Sequence, residues 1–202
     1  MRIALIVEGK TEKVFIPHLR SFLHRELEGR MPALDPFPYD GRIPKEDKLR
    51  RIVNSLFRQR ADHVIALTDV YTGIKPPEFI DATDAKHKMR QWVPNEPRFH
   101  PHAAQYDFEA WLLPYWPAIQ RLAGHNRSAP KGVPESVNHD NPPAHRIQQL
   151  FAAGHCRKYY SKPRDAGRIL RESDLSVAIG QCPELKSLVN TILVLSGGMK
   201  IP

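Results

Sequence analysis

Ile3-Ala4-Leu5-Ile6-Val7-Glu8-Gly9-Lys10-Thr11-Glu12 is the stretch from which the fold can be read. An uninterrupted apolar run of this length, ended by glycine and followed by a helical pattern, predicts a buried strand, a tight turn and a helix N-terminus. Glu8 then stands at the C-terminal tip of a strand. In open α/β sheets ligands bind at that edge, so a carboxylate beside a glycine and free helix-end N–H groups is placed for metal or phosphate chemistry. The alternative is a helix capped by Thr11 with Glu8 as a solvated turn residue. A Walker-type phosphate loop is excluded: it needs a second glycine five residues before Gly9, and that position is Ala4 inside the strand.

The 202 residues can bury one sizeable core, and 41% hydrophobic content is ordinary for a globular domain. No apolar stretch approaches the roughly 20 residues of a membrane helix, and the chain enters a strand at once, so a cytoplasmic protein without a membrane partner is expected. Cys156 and Cys182 lie far apart without zinc spacing and read as reduced packing residues. Lys and Arg outnumber Asp and Glu by 30 to 22, a net charge of +8, which favours a polyanionic partner such as nucleic acid. The excess is concentrated between Ala144 and Arg171, where Arg146, Arg157, Lys158, Lys162, Arg164, Arg168 and Arg171 face a single acidic residue, Asp165. Tyr159 and Tyr160 within that stretch are either rings for base stacking or core residues.

Apolar spacing predicts a helix from Thr11 to about Glu28, with Pro17 unsettling its first turns, and another over Lys45–Gln59. A short extended segment is expected near Phe37–Tyr39, a buried strand over Asp62–Asp69, a helix over Ile80–Trp92 and a strand over Phe99–Gln105. A further element starts near Tyr106 and stops before Pro114. A long polar loop over 123–143 precedes short helices at Ala144–Phe151, Asp165–Arg171 and Pro183–Leu195. Strand–helix alternation predicts an α/β fold, a parallel sheet flanked by helices over residues 1–122, with a basic helical extension over 123–202 packed on it.

Glu8, Asp69 and Glu109 share one context, each following or adjoining an apolar strand-like run. At one edge of a parallel sheet their carboxylates converge, and converging carboxylates need a cation; hard oxygen ligands select Mg²⁺ or Mn²⁺. Such a site suits phosphodiester hydrolysis. His100 and His102 alternate on one face of their strand, where they either meet one ion or pack and hydrogen-bond near the site. His145-Arg146 opens a helix, either as a phosphate grip or as solvent-exposed charge.

Val7-Glu8-Gly9-Lys10-Thr11-Glu12, Ala66-Leu67-Thr68-Asp69 and Phe108-Glu109-Ala110-Trp111-Leu112-Leu113 together resemble a bacterial Toprim-like family of unknown function, related to RloB-like and OLD-type Toprim proteins. The resemblance covers residues 1 to 115, with 143–146 and 162–170 in the helical part. It implies a Toprim-like sheet and a divalent-metal-dependent nuclease, with Glu8 as general acid/base or ligand, Asp69 and Glu109 as Mg²⁺ or Mn²⁺ ligands, and Lys10, Arg146, Lys158, Lys162, Arg164 and Arg168 gripping nucleic acid. Proteins of this kind are often encoded beside ABC- or AAA-type ATPases in phage-defence loci, which implies an ATPase partner. One departure stands out: the usual Asp-x-Asp is here Asp69-x-Tyr71, so the site holds a single metal or recruits Asp107, Asp81 or Asp84. The alternatives are a catalytically silent nucleic-acid-binding module and a nucleotide phosphoesterase.

Overall fold

Alternate side chains of β1 (Arg2–Val7) enter two different cores, and this sets the layers of the molecule. Ile3, Leu5 and Val7 pack with α1 (Lys10–Glu26), while Ala4 and Ile6 pack with α2 (Glu46–Arg58) and α3 (Ala82–Trp92). The same alternation holds in β3 (His63–Asp69), where Ile65 and Leu67 face the first layer and Val64 and Ala66 the second. A strand buried on both faces reads as continuous apolar sequence, which is why β1 and β3 are legible. This computed structural model describes residues 1–29, 31–39, 41–70, 77–137, 141–154 and 159–202.

With β2 (Ala33–Pro38) and β4 (Phe99–Ala104) the strands form one sheet in the order β2-β1-β3-β4, every pair parallel. The chain goes from β1 to β2 on one side, then crosses back to place β3 on the other. Right-handed crossovers in opposite directions put α1 on one face and α2 and α3 on the other. The prolines Pro36, Pro38 and Pro101 lie in β2 and β4, the two edge strands, where a missing N–H is tolerated.

After β4 the chain enters a 3-10 helix, Phe108–Tyr115, then α4 (Trp116–Ala123), a 3-10 turn at Pro134–Ser136, α5 (Pro143–Ala153), α6 (Lys162–Arg171), α7 (Leu175–Gln181) and α8 (Pro183–Leu195). The described residues thus show a four-stranded parallel sheet flanked by eight α-helices. One apolar cluster runs from Ile3 of β1 to Leu193 of α8, so the C-terminal helices share the core of the α1 layer. No described helix is long and apolar enough to cross a membrane.

Several expectations need correction. The segment from Tyr106 adjoins no strand of its own: it is the 3-10 helix, nearly every residue of which is buried, so it carries no periodicity to read. Pro17 does not disturb α1, because Phe15, Ile16, Leu19, Phe22 and Leu23 bury around it; that packing offsets the roughly 3 kcal/mol a mid-helix proline costs. Thr11 is not the cap; Gly9 is, and the Glu12 side chain reaches back to accept the Gly9 N–H at 3.0 Å. Helices α4 and α7 add to the elements that spacing predicts, and α6 begins at Lys162, three residues before Asp165. Within the polar loop Glu135 is a buried anchor, accepting from Trp111 Nε1 at 2.8 Å and from the Glu184 N–H at 2.9 Å at the start of α8.

Candidate functional site

The strand order turns back between β1 and β3, and Glu8 and Asp69 stand at the C-terminal ends of those two strands. That crevice is where open α/β sheets bind ligands. The third strand of this edge, β4, ends at Ala104 opposite Asp69. Tyr106 then takes a left-handed backbone (φ 72°) and turns the chain so that Asp107 and Glu109 follow at the same edge. Glu12, on the first turn of α1, completes five carboxylates from three segments.

Each is held in its own way. Glu8 Oε1 accepts from the Ile43 N–H at 3.2 Å and from the Thr68 hydroxyl, while the Gly41 N–H donates to the Glu8 carbonyl at 2.9 Å. The loop after β2 therefore fixes the Glu8 tip. Glu109, 1% exposed, accepts from Tyr160 Oη at 3.3 Å and from Lys162 Nζ at 3.2 Å. Asp107, 3% exposed, accepts the Ala144 N–H at 3.1 Å through Oδ2, but its Oδ1 has no partner among the described residues.

The charges oppose one another. Burial, then Glu8, Glu12, Asp107 and Glu109, raise the Asp69 carboxyl well above the usual aspartate range. Burial and then Glu109 push Asp107 up to about 8. Glu8 and Glu12 are raised chiefly by burial, with Thr68 and Ile43 restraining Glu8. Burial alone would lower the Lys162 ammonium, yet Glu109, Asp107 and Asp69 outweigh it and hold the group above the ordinary lysine value. Desolvated acids whose like charges oppose one another, with one ammonium among them, hold protons more tightly than free carboxylates do.

A cavity of about 670 Å³ opens over Asp69 and Asp107, walled by His145 and Gln148 of α5, by Tyr159 and by Lys162 at the start of α6. Of the expected nucleic-acid grip, Lys162 is thus inside the site and paired to Glu109. Arg164 and Arg168 both pair with the buried Asp165, at 2.8 Å and 3.6 Å. Arg146 is half-buried and donates through Nε to the Asn141 carbonyl at 2.9 Å. Lys10 is exposed on the first turn of α1, two residues from Glu8. Lys158 lies outside the described residues, as do Arg157, Cys156 and Tyr71. The two tyrosines divide: Tyr160 is buried against Phe151, and Tyr159 is 79% exposed.

Of the aspartates open to recruitment, Asp107 is the one at the site. Asp81 caps α3 by accepting the Asp84 N–H at 2.8 Å, and Asp84 pairs with Lys88 at 2.8 Å. His100 and His102 share a face but not a partner: His100 Nε2 meets His63 Nδ1 at 3.2 Å, and His102 Nε2 meets Thr191 Oγ1 at 3.0 Å. Sequence reasoning missed Glu12, whose N3 position reads as a capping residue, and Gln148, whose only signal is its i, i+3 spacing from His145 on one helix face.

Among the described residues no group of three or more His, Cys, Asp or Glu is drawn together as a metal-ligand cluster. The donor chemistry nonetheless fits a hard divalent cation, because every donor is a carboxylate oxygen and Asp107 Oδ1 is unpartnered. Glu8, Asp107 and Glu109 each accept internal donors, and Asp107 keeps one oxygen unpartnered among the described residues.

The family described as "Domain of unknown function (DUF4276)" matches residues 7–193. No curated protein matches significantly. Among solved structures the chain is similar to the C-terminal region of the Burkholderia pseudomallei OLD protein, with a TM-score of 0.54 and 12% identity over 96% of this chain and 98% of that one. At this identity the likeness is one of fold.

Proposed function

We propose that this chain, which belongs to the family described as Domain of unknown function (DUF4276), is a divalent-cation-dependent phosphodiesterase of the Toprim type acting on nucleic acid. The observation that carries the reading is the coupled carboxylate set at the β1/β3 switch point, with its raised Asp69 and its unpartnered Asp107 oxygen. The motif resemblance to RloB-like and OLD-type Toprim proteins adds to it. Glu8, Asp69 and Glu109, joined by Asp107 in place of the second aspartate of the usual motif, would hold Mg²⁺ or Mn²⁺. When bound, the ion supplies charge stabilisation on the transferring and leaving oxygens.

The remaining roles follow from the chain's own groups. Glu8, raised by burial and fixed by Thr68 and the Ile43 N–H, takes or returns the proton of the attacking water. Lys162 neutralises Glu109 and turns a cation toward the cavity, so that a phosphate can enter a site otherwise lined with acids. Lys10, at the exposed start of α1, contacts the adjoining backbone. An ATPase partner and a place in phage defence rest on the resemblance alone, and a cytoplasmic location rests on the sequence reading alone. One observation favours a silent nucleic-acid-binding module instead: Glu109 is already neutralised by Lys162.

The test is cleavage of single- and double-stranded DNA and RNA by the purified chain with Mg²⁺ or Mn²⁺, alongside calorimetric titration of the metal. Glu8→Gln should lower cleavage roughly a hundredfold or more, the scale of a lost acid/base group, and Asp69→Asn should weaken metal binding. A wild-type protein that binds nucleic acid, takes no metal and cuts nothing would select the silent module.

A further inference from the structure

The cavity over Asp69 and Asp107 has one wall that hydrolysis does not require. Tyr159 lies on its rim with 79% of its surface exposed, while its neighbour Tyr160 is locked beneath by Phe151 and Glu109. The Tyr159 carbonyl accepts from Arg164 Nη2 at 3.4 Å, and Arg164 is itself held by Asp165. The backbone that carries the ring is therefore held at its own carbonyl and at the following residue, Tyr160. From α5, His145 and Gln148 also line the cavity, an imidazole and an amide, both able to donate and accept. The same cavity is lined by Lys162 and by Asp107, whose Oδ1 has no partner among the described residues.

An open aromatic face, two hydrogen-bonding side chains and a cation are the parts by which proteins hold one unstacked base and its phosphate. The volume, about 670 Å³, is that of a small-molecule pocket. A base inside a duplex has both faces covered by its neighbours, so it offers nothing to the ring until it leaves the stack. Resting on the nucleic-acid reading above, we infer that this cavity admits an unpaired nucleotide, its base stacked on Tyr159, its edge read by Gln148 and His145, and its phosphate directed to Lys162. The substrate class is then single-stranded nucleic acid or an unpaired end, and Tyr159 is the residue that selects it.

The experiment is an anisotropy titration of the full chain, with Ca²⁺ in place of Mg²⁺, against a fluorescein-labelled DNA single strand, the RNA of the same sequence and a blunt duplex of equal length. At least one single strand should bind roughly tenfold or more tighter than the duplex, and Tyr159→Ala should weaken that binding by roughly ten- to a hundredfold, the scale of one base–aromatic stack. Tyr159→Trp should restore it, and duplex binding should not respond to either change. Because the side chain is exposed, both variants should keep the wild-type circular dichroism. Equal affinity for duplex, no response to Tyr159→Ala, or no binding to any of the three would overturn the inference. A protein that cuts nothing yet binds single strands through Tyr159 would sink the hydrolase reading and leave this one standing; one that cuts duplex and ignores Tyr159→Ala would do the reverse.

Discussion

Asp107→Asn isolates the carboxylate cluster cleanly, because a neutral group of the same shape replaces a buried acid and keeps the acceptor for the Ala144 N–H. Burial and Glu109 push the folded Asp107 carboxyl up to about 8, against 3.8 for an ordinary aspartate. Between those values the folded protein holds a proton that the unfolded chain has released, so this group's stabilisation is complete below about pH 4 and is lost as pH rises toward 8. Each pH unit of the window is about 1.4 kcal/mol. Two histidines, His102 buried and His100 half-buried, act in the opposite sense: burial lowers His100 to about 4 and His102 to about 3, against an ordinary 6.5. Above pH 6.5 both are neutral in either state, and the acids stand alone. The remaining span to pH 8 costs the wild type about 2 kcal/mol through Asp107, a fall of roughly 4–8 °C in Tm for a chain of this size. Asp69, raised by the same neighbours, adds to the wild-type loss. Melting curves in EDTA at pH 6.5 and 8 measure it, and Asp107→Asn should remove its share of the slope. Parallel Tm-against-pH lines for the two proteins would refute the buried, proton-holding acid.

On the acid side His102→Gln should flatten the loss of stability below pH 6.5, since the wild type must release a neutral imidazole that the unfolded chain protonates; denaturant titrations at pH 4.5 and 6.5 report it. Glu135→Ala strips acceptors from Trp111 Nε1 and from the first N–H groups of α8 and should cost about 2–4 kcal/mol in urea unfolding, whereas Glu135→Gln should recover part of that. Gly154→Ala should be more damaging than its size implies, because a Cβ there would lie 1.8 Å from the Ala123 carbonyl oxygen; a Tm within a degree or two of wild type would show that α4 and α5 separate easily.

What the sequence shows plainly is whatever one segment decides for itself. β1 and β3 are buried on both faces, so their apolar runs end visibly, and Glu8 and Asp69 can be placed at strand tips from spacing alone. Glu109 is visible as a residue but not as a geometry, because the 3-10 helix around it is buried on every side. Glu12 performs a capping task that any helix start could show, and its coupling to Asp69 arises only when the sheet forms. Of two adjacent tyrosines, packing against Phe151 chooses which is hidden. Likewise the basic count overstates the free charge, since Asp165 pairs with both Arg164 and Arg168 and Glu109 pairs with Lys162.

The edge prolines have a consequence for association. In β2 the N–H groups of Ala33 and Tyr39 point inward, to the carbonyls of Met1 and Val7, so the even-numbered positions between them point outward, and two of these are Pro36 and Pro38. In β4 the Ala104 and Arg98 carbonyls accept from Val70 and Val64 of the β3 side, which leaves the odd-numbered N–H groups facing away, and Pro101 is one of them. Both rims of the sheet therefore have gaps among the donors an incoming strand would seek. Neither fibril growth nor capture of an extended peptide by strand addition finds a continuous template here. A protein partner is then expected to engage this molecule through its helices and loops, by side-chain recognition, and not by extending the sheet.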